Sequence, residues 1–471
     1  MGGAASEWPV PTPSHPEDYF MKTLSVAALL AAFASTALGQ VPTEWTFRVV
    51  AREGASGFGI PNGAELVQND PGLDDQGNAC VRYTMSGGEG IFVWSAAEQS
   101  SRVVVTNASA LYSSSIDMLN GRIALSLNDG GVELRDYNGN LLDTYPVGGT
   151  EGITGPVTRA RLTTTGAIGY RGSSGGISKH ILDRFVGATR VQTLLASTDG
   201  ATPYSFLYSP TVNAGHQMAS KADLRSGGAG VVRWQEGQAP VIIQATAGSP
   251  YNLISNGTDL NDAGQVAFFV RVAADSSFRL MRGDGTADPV VIASSEPFNP
   301  AGLVNNAFAN FPPVINNNGL VAFRPNDPTQ AIYIGDGTTL VRVVGDSSFI
   351  TLPDGTQFSL GAGTGNPRTS LVGNIALNGA NQIAFIGRLS DGSDALIIAT
   401  PVPTGNGCGT SDFNGDGDFG TDQDIEAFFA CIGGNCCPTC FPGGSDFNGD
   451  GDAGTDQDIE SFFRVLGGGN C

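Results

Sequence analysis

Between residues 73 and 400 one arrangement of polar and apolar positions returns seven times: a polar turn, then a β run. The clearest copies span Leu260–Phe268, Ile315–Phe323 and Leu377–Phe385, and weaker ones surround Cys80, Ala124, Gly169 and Ala219. Aligned, they put a small residue at one place every time: Cys80, Ala124, Gly169, Ala219, Ala267, Ala322 and Ala384, at intervals of 44, 45, 50, 48, 55 and 62 residues. Several copies continue through a second apolar stretch, a Gly-Asp-Gly turn (Gly283–Gly285, Gly335–Gly337) and a third run, a meander of three or four strands per unit. One such unit cannot bury both faces, whereas units set radially share a core. The pattern therefore predicts a mainly β chain with a seven-bladed β-propeller over residues 41–400, six units or an elongated β-solenoid being the alternatives. The recurrent small residue is expected where strands crowd toward the axis, and Cys80 reads as a buried structural thiol in place of alanine.

Past a linker at residues 401–407 the composition changes abruptly and a helical period appears. Ile425, Phe428, Phe429 and Ile432 fall at i, i+3, i+4 and i+7, and Ile459, Phe462, Phe463 and Leu466 repeat them 34 residues later. Two amphipathic helices with facing apolar stripes are predicted. Ahead of each stands D-x-N-x-D-G: Asp412, Asn414, Asp416 and Gly417, then Asp446, Asn448, Asp450 and Gly451. Oxygen-bearing side chains at alternate positions curl around a hard cation, a glycine at the sixth place permits the sharp turn, and six to eight oxygens favour calcium. The seventh residue, Asp418 or Asp452, would offer its backbone carbonyl.

This duplicated loop-plus-helix unit, residues 408–471, resembles the type I dockerin domain, a small α-helical module whose calcium loop lacks the entering helix of a full EF-hand. The resemblance implies two calcium ions, one per loop, and docking to a cohesin-like protein. In that family the closing carboxylate stands at position 12, which here is Gln423 or Gln457. Asp424 and Asp458 directly precede the apolar series, so a one-residue insertion makes them the expected closing ligands, with Asp422 and Asp456 as the alternative.

Charge and cysteine usage sharpen the division. The chain carries 45 acidic and 24 basic residues, net −21, which excludes a nucleic-acid partner, since phosphates need a basic face. Residues 408–471 alone hold ten Asp and two Glu against one Arg, and six of the seven cysteines: Cys408, Cys431, Cys436, Cys437, Cys440 and Cys471. Disulfides are expected rather than zinc, because the C-x-x-C pair Cys437–Cys440 has no second pair or spaced histidines beside it. Cysteines bracket each copy, Cys408 to Cys436 and Cys440 to Cys471, with Cys431 and Cys437 extra, and the pairing stays open. Met21-Lys22, the apolar run Leu24–Ala34 and the small residues Ala37 and Gly39 make residues 21–39 a secretory signal peptide cleaved before Gln40. Residues 1–20, Pro-rich and acidic, are then an extension upstream of the expected start at Met21. No transmembrane segment is expected in the mature chain, and the repeat stretch resembles repeat domains in proteins exported by bacteria such as planctomycetes.

Candidate catalytic chemistry is sparse. Only His15, His180 and His216 are present, and the G-x-S-x-G match at Gly172–Gly176 lies in a turn between β runs rather than in the strand-turn-helix of a nucleophile elbow. Asp74, Asp75, Asp262 and Asp284 recur at equivalent turns, which assigns them to turn formation. No catalytic residue is singled out. Two readings follow: an exported, non-catalytic binding scaffold docked through its calcium module to a protein partner or cell-envelope component, or a secreted glycosidase or lyase that the module brings to polysaccharide. In the second, carboxylates from different blades would meet across a funnel.

Overall fold

The computed structural model describes residues 40–54, 58–67, 70–107, 112–154, 157–295, 311–325, 331–352, 355–361, 370–402, 409–441, 443–448 and 453–467. The signal peptide, the upstream extension, Cys408, Asp450, Asp452 and Cys471 lie outside them.

Among the described residues of 45–401, seven antiparallel sheets of four or five strands are arranged as the seven blades of a propeller, and a separate two-stranded hairpin, Phe349–Thr351 with Gln357–Ser359, follows the sixth blade. Six blades follow the chain in order. The seventh takes Leu371–Leu377, Ile383–Arg388 and Asp394–Pro401 from the end of the repeat region and its outermost strand, Trp45–Arg52, from the start. Trp45 pairs with Pro401 and Arg52 with Ala395, so the two ends of the array are hydrogen-bonded into one sheet. Closure of this kind covers the two blade faces that an open array would leave exposed.

The core lies between neighbouring blades. Ala267, Phe269 and Leu280 of the fifth meet Ile315, Val321 and Phe323 of the sixth, and Ala124 and Leu134 of the second meet Ile168, Tyr170 and Ile181 of the third. The recurrent small residues sit here, on the second strand of each blade rather than at the axis. A Cβ on Gly169 would stand 2.9 Å from Val212 and Met218 of the next blade. The crowding that demands a small side chain is thus blade against blade. Cys80 is fully buried in the same layer, and burial pushes its thiol up, as suits an inert packing residue.

The turn that follows each innermost strand explains the repeated asparagine. Asn261 Oδ1 accepts from Gln265 N (2.9 Å), fixing its own turn, while Nδ2 donates to the carbonyl of Asn316 in the next blade (3.0 Å). The same donation runs from Asn213 to Asn261, from Asn316 to Asn378, and from Asn378 to Asp74 across the closure. Asp74 cannot donate, so the belt stops there. Its carboxylate accepts instead from Gln76 N, Asn78 N and Tyr137 Oη. Asp75 and Asp262 bridge adjacent turns, through Gly379 N and Ala214 N, and Asp284 caps its own turn at Thr286 N.

The C-terminal module has two helices, Asp422–Ile432 and Asp456–Leu466. Phe428 and Phe462 stack at 4.2 Å between ring centroids, and Phe413 and Phe447, from the second position of each loop, complete a fully buried aromatic core. Phe429 and Phe463, expected in that core, are exposed instead. The loop phenylalanines fill the space between the helices, so the i+4 residues turn outward. Cys431 is bonded to Cys436 and Cys437 to Cys440, two short-range bridges between the copies among the pairings that the sequence left open.

Candidate functional site

Two places concentrate polar side chains that the fold itself does not account for. The first is the propeller axis. Register pairs each small residue with one residue of the innermost strand: Gly72, Asp117, Arg161, Thr211, Asp259, Val314 and Ala376 in blades one to seven. These seven ring a cavity of about 210 Å³. The ring is polar in blades two to five and apolar in the other three, so sevenfold pseudosymmetry is broken into two arcs.

Within the polar arc Arg161 meets Asp117 at 2.9 Å, and Asp117 also accepts from Leu162 N of the third blade. Two positions earlier on the innermost strands, Arg159 meets Asp70 at 2.6 Å, and Asn374 donates to the same carboxylate. Arg159 has φ +52°, beside a break in register of its strand, a left-handed conformation that a bulky residue adopts only when its surroundings compel it. Burial would raise Asp70, but Arg159 and Arg161 hold its carboxyl below the ordinary range. For Asp259 burial wins: despite Arg161 and the Ile315 N–H, its carboxyl is pushed up to about 6. Thr211 and Thr258, also lining the cavity, are 5% and 4% exposed, and their Oγ1 atoms have no hydrogen-bond partner.

A second cavity, of about 650 Å³, shares Arg159, Pro312 and Asn374 with the first and opens over blades three to five. It is lined by Arg171, Lys221, Tyr208, Ser255 and Asn256 among others. Sequence reasoning passed over both cavities. The signal was a column: the residue eight positions before the recurrent small one (seven in the second blade) is apolar or glycine in three copies and polar in four.

The residues that the sequence did single out in the propeller are structural. Ser174 ends a strand at a two-glycine hairpin, Gly175 and Gly176 both with positive φ, so no elbow exposes it. His180 is fully buried, bonded to the Tyr208 carbonyl at 2.8 Å and set edge-on to Trp234, and burial pushes its imidazole down to about 4. His216 takes φ +59° in a turn where the matching residues are Gly264 and Gly319, and it bonds Thr165 Oγ1 at 2.8 Å.

The second place is the pair of acidic loops. Asp412 Oδ2 accepts from Gly417 N (3.1 Å), Asn414 Oδ1 from Asp416 N (2.9 Å) and Asp416 Oδ1 from Asp418 N (2.9 Å). Alternate side chains are thus folded over their own loop, and Gly417 makes the turn at φ +94°. Asp412 Oδ1 is buried and has no hydrogen-bond partner. That orphaned oxygen at the first loop position fits a cation, and so does the donor chemistry, which is oxygen throughout. Among the described residues no three His, Cys, Asp or Glu side chains converge on a metal position. The first loop would use an amide and a backbone carbonyl beside its carboxylates. In the second loop Asp446 Oδ1 is likewise buried and Asn448 is partly buried.

Asp424, expected as closing ligand, is engaged elsewhere. Its Oδ1 accepts from Phe413 N and Asn414 N, and its Oδ2 from Thr421 N and Thr421 Oγ1, at 2.8–3.2 Å. Four donors fill the four lone-pair sites of a carboxylate. Asp458 repeats this with Asn448 N, Thr455 N and Thr455 Oγ1. Burial works against both charges, and the amides of Thr421 and Asn414, or Asn448 and Thr455, nonetheless hold them below the ordinary carboxylate range. Each aspartate therefore ties loop to helix and caps the helix start, while Asp422 stands exposed at the first helical position.

Among known proteins, a family of unknown function, DUF7453, matches residues 199–395. No curated protein matches the chain. Similar solved structures include an oligogalacturonate lyase in complex with manganese (12% identity, TM-score 0.48, 78% of this chain and 99% of that one) and the RRP9 WD40 repeats (12%, 0.44, 77% and 99%). Another is the oligogalacturonate lyase of Vibrio parahaemolyticus (10%, 0.45, 77% and 99%). Similarities this low carry no inference about what the chain does.

Proposed function

We propose that the chain is an exported, non-catalytic binding protein whose dockerin-like module takes up two calcium ions and docks the propeller to a cohesin-like protein. The observation that carries the calcium is Asp412: one oxygen fixed by the Gly417 amide, the other buried with no partner. Asp412, Asn414, Asp416 and the Asp418 carbonyl would hold one ion, and Asp446, Asn448, Asp450 and the Asp452 carbonyl the other. With Asp424 and Asp458 engaged by the chain, Asp422 and Asp456 are left to close the loops. A bound cation neutralises carboxylates that otherwise repel and so couples uptake to folding. Docking to protein is supported by Phe429 and Phe463, 44% and 47% exposed with ring centroids 6.3 Å apart, an aromatic pair on the module's outside.

Calorimetric titration of the mature chain with its disulfides intact tests this. Two equivalents of calcium are expected, and one after Asp412→Ala; absence of uptake by the parent chain sinks the reading.

A secreted carbohydrate-active enzyme is the second reading, favoured by Asp259. A carboxyl held near neutrality beside Asp117 and Arg161 is equipped to give and take a proton. Glycan turnover by the mature chain that Asp259→Asn abolishes would decide for it.

A further inference from the structure

The larger cavity is cationic in a chain that is not. Against a net charge of −21, Arg159, Arg171 and Lys221 line it, and none of the described residues lining it is a carboxylate. Arg159 has its charge matched by Asp70, and Lys221 lies 3.6 Å from Asp223, which also accepts from Tyr208 Oη at 3.1 Å. Among the described residues Arg171 has no such match. Its guanidinium donates to the Leu207 carbonyl at 3.0 Å and lies 5.4 Å from the Phe206 ring, and burial pulls its pKa below the usual value. A partly buried cation without a counter-charge is costly, and an anion entering the cavity would relieve that cost.

The rest of the wall says what kind of anion. Lys221 Nζ lies 4.2 Å from the Tyr208 ring and donates to Asn256 Oδ1 at 3.1 Å. Tyr208 itself packs edge-on against Phe206 with centroids 4.8 Å apart. Ser255 and Asn256, in the irregular stretch of the fifth blade's innermost strand where register shifts between Ile254 and Thr258, add hydroxyl and amide groups. Aromatic faces, short polar side chains and cations together suit a ligand with apolar ring faces, many hydroxyls and a carboxylate. About 650 Å³ is room for more than one sugar ring.

We propose that this cavity binds an acidic oligosaccharide, a uronide of about two rings, with its carboxylate on Arg171 and Lys221 and its hydroxyls on Ser255 and Asn256. The proposal concerns the propeller and stands whether or not the calcium module behaves as proposed.

Titration of the mature chain, with calcium present, by galacturonate, glucuronate and mannuronate disaccharides tests it, with cellobiose and inorganic phosphate as controls. At least one di-uronide is expected to bind, more weakly as salt rises, with cellobiose and phosphate at least about tenfold weaker. Arg171→Gln is expected to weaken the di-uronide about tenfold and Arg171→Lys less, in variants whose thermal unfolding matches the parent. Lys221→Met gives a second readout if the arginine variant fails to fold. Equal binding of phosphate would reduce the cavity to an anion hole, and equal binding of cellobiose would remove the role of charge; either result overturns the proposal. So does no binding, or affinity unchanged in both Arg171→Gln and Lys221→Met.

Discussion

The acidic module and the innermost ring of the propeller both arose by repetition, and they treat polar residues in opposite ways. In the module Asp412, Asp424 and Thr421 return 34 residues later as Asp446, Asp458 and Thr455, with the same bonds between loop and helix. In the ring, one structural position carries Gly72, Asp117, Arg161, Thr211, Asp259, Val314 and Ala376. A polar residue kept in every copy is doing something each copy needs for itself, such as turning the chain or holding an ion. One that differs from copy to copy serves the assembled molecule, because only closure of the ring brings the copies together.

The strongest way to break the comparison is at Asp424. If it serves the fold, Asp424→Ala leaves the amides of Phe413, Asn414 and Thr421 without acceptors and removes a cap, a loss of about 3 kcal/mol or more. Circular dichroism should show the module's helices lost, with calcium uptake lost as a consequence. Asp422→Ala should keep the helices and weaken calcium about tenfold. A folded, calcium-free Asp424→Ala protein would return that residue to the ligand set.

Next in size is the asparagine belt, which is repeated and therefore expected to be structural. Asn261 is 3% exposed and bonds both its own turn and the next blade, so Asn261→Leu should cost about 2 kcal/mol in urea unfolding of the propeller. A loss under about 0.5 kcal/mol would show that the blades are held by their apolar layers alone.

Asp259 belongs to the other class, and its cost is predicted to depend on pH. Its folded-state pKa, about 6, lies above the ordinary 3.8, so its contribution is fully favourable below about pH 4 and is lost as pH rises through 6. Asp259→Asn should therefore be more stable than the parent at pH 7 and gain nothing at pH 4, as thermal melts at the two pH values would show. The reverse order would mean that the Arg161 guanidinium, not burial, governs the site.

This division also explains what could be read from the chain before folding. The seven turns, the small column and the two helices are repeated, so alignment of copies finds them. Closure by Trp45–Arg52 is a single pairing between residues about 350 apart, with no second copy to compare. Phe413 and Phe447 are repeated, but their place between the polar residues of each loop makes them look solvated, and only the buried faces of both helices show otherwise. The polar arc of the ring was present as four polar residues in a column whose other three members are apolar or glycine. Without knowing that this column lines the axis, nothing in the residues distinguishes them from surface substitutions.

His216 offers the smallest and most delicate test, because it is an exception that the structure nonetheless assigns to its own turn. The residue stands at φ +59°, where Gly264 and Gly319 stand at +78° and +76° and Asn381 at +62°. A histidine there costs about 1 kcal/mol relative to glycine, and its bond to Thr165 returns about as much. His216→Gly should therefore shift unfolding by less than about 0.5 kcal/mol, and Thr165→Val alone should destabilise by more than the double variant does. A double-mutant cycle in urea gives both numbers. If His216→Gly instead costs more than about 1 kcal/mol, the imidazole does work beyond its turn, and copy-to-copy divergence at a turn would have to be read as it is at the ring.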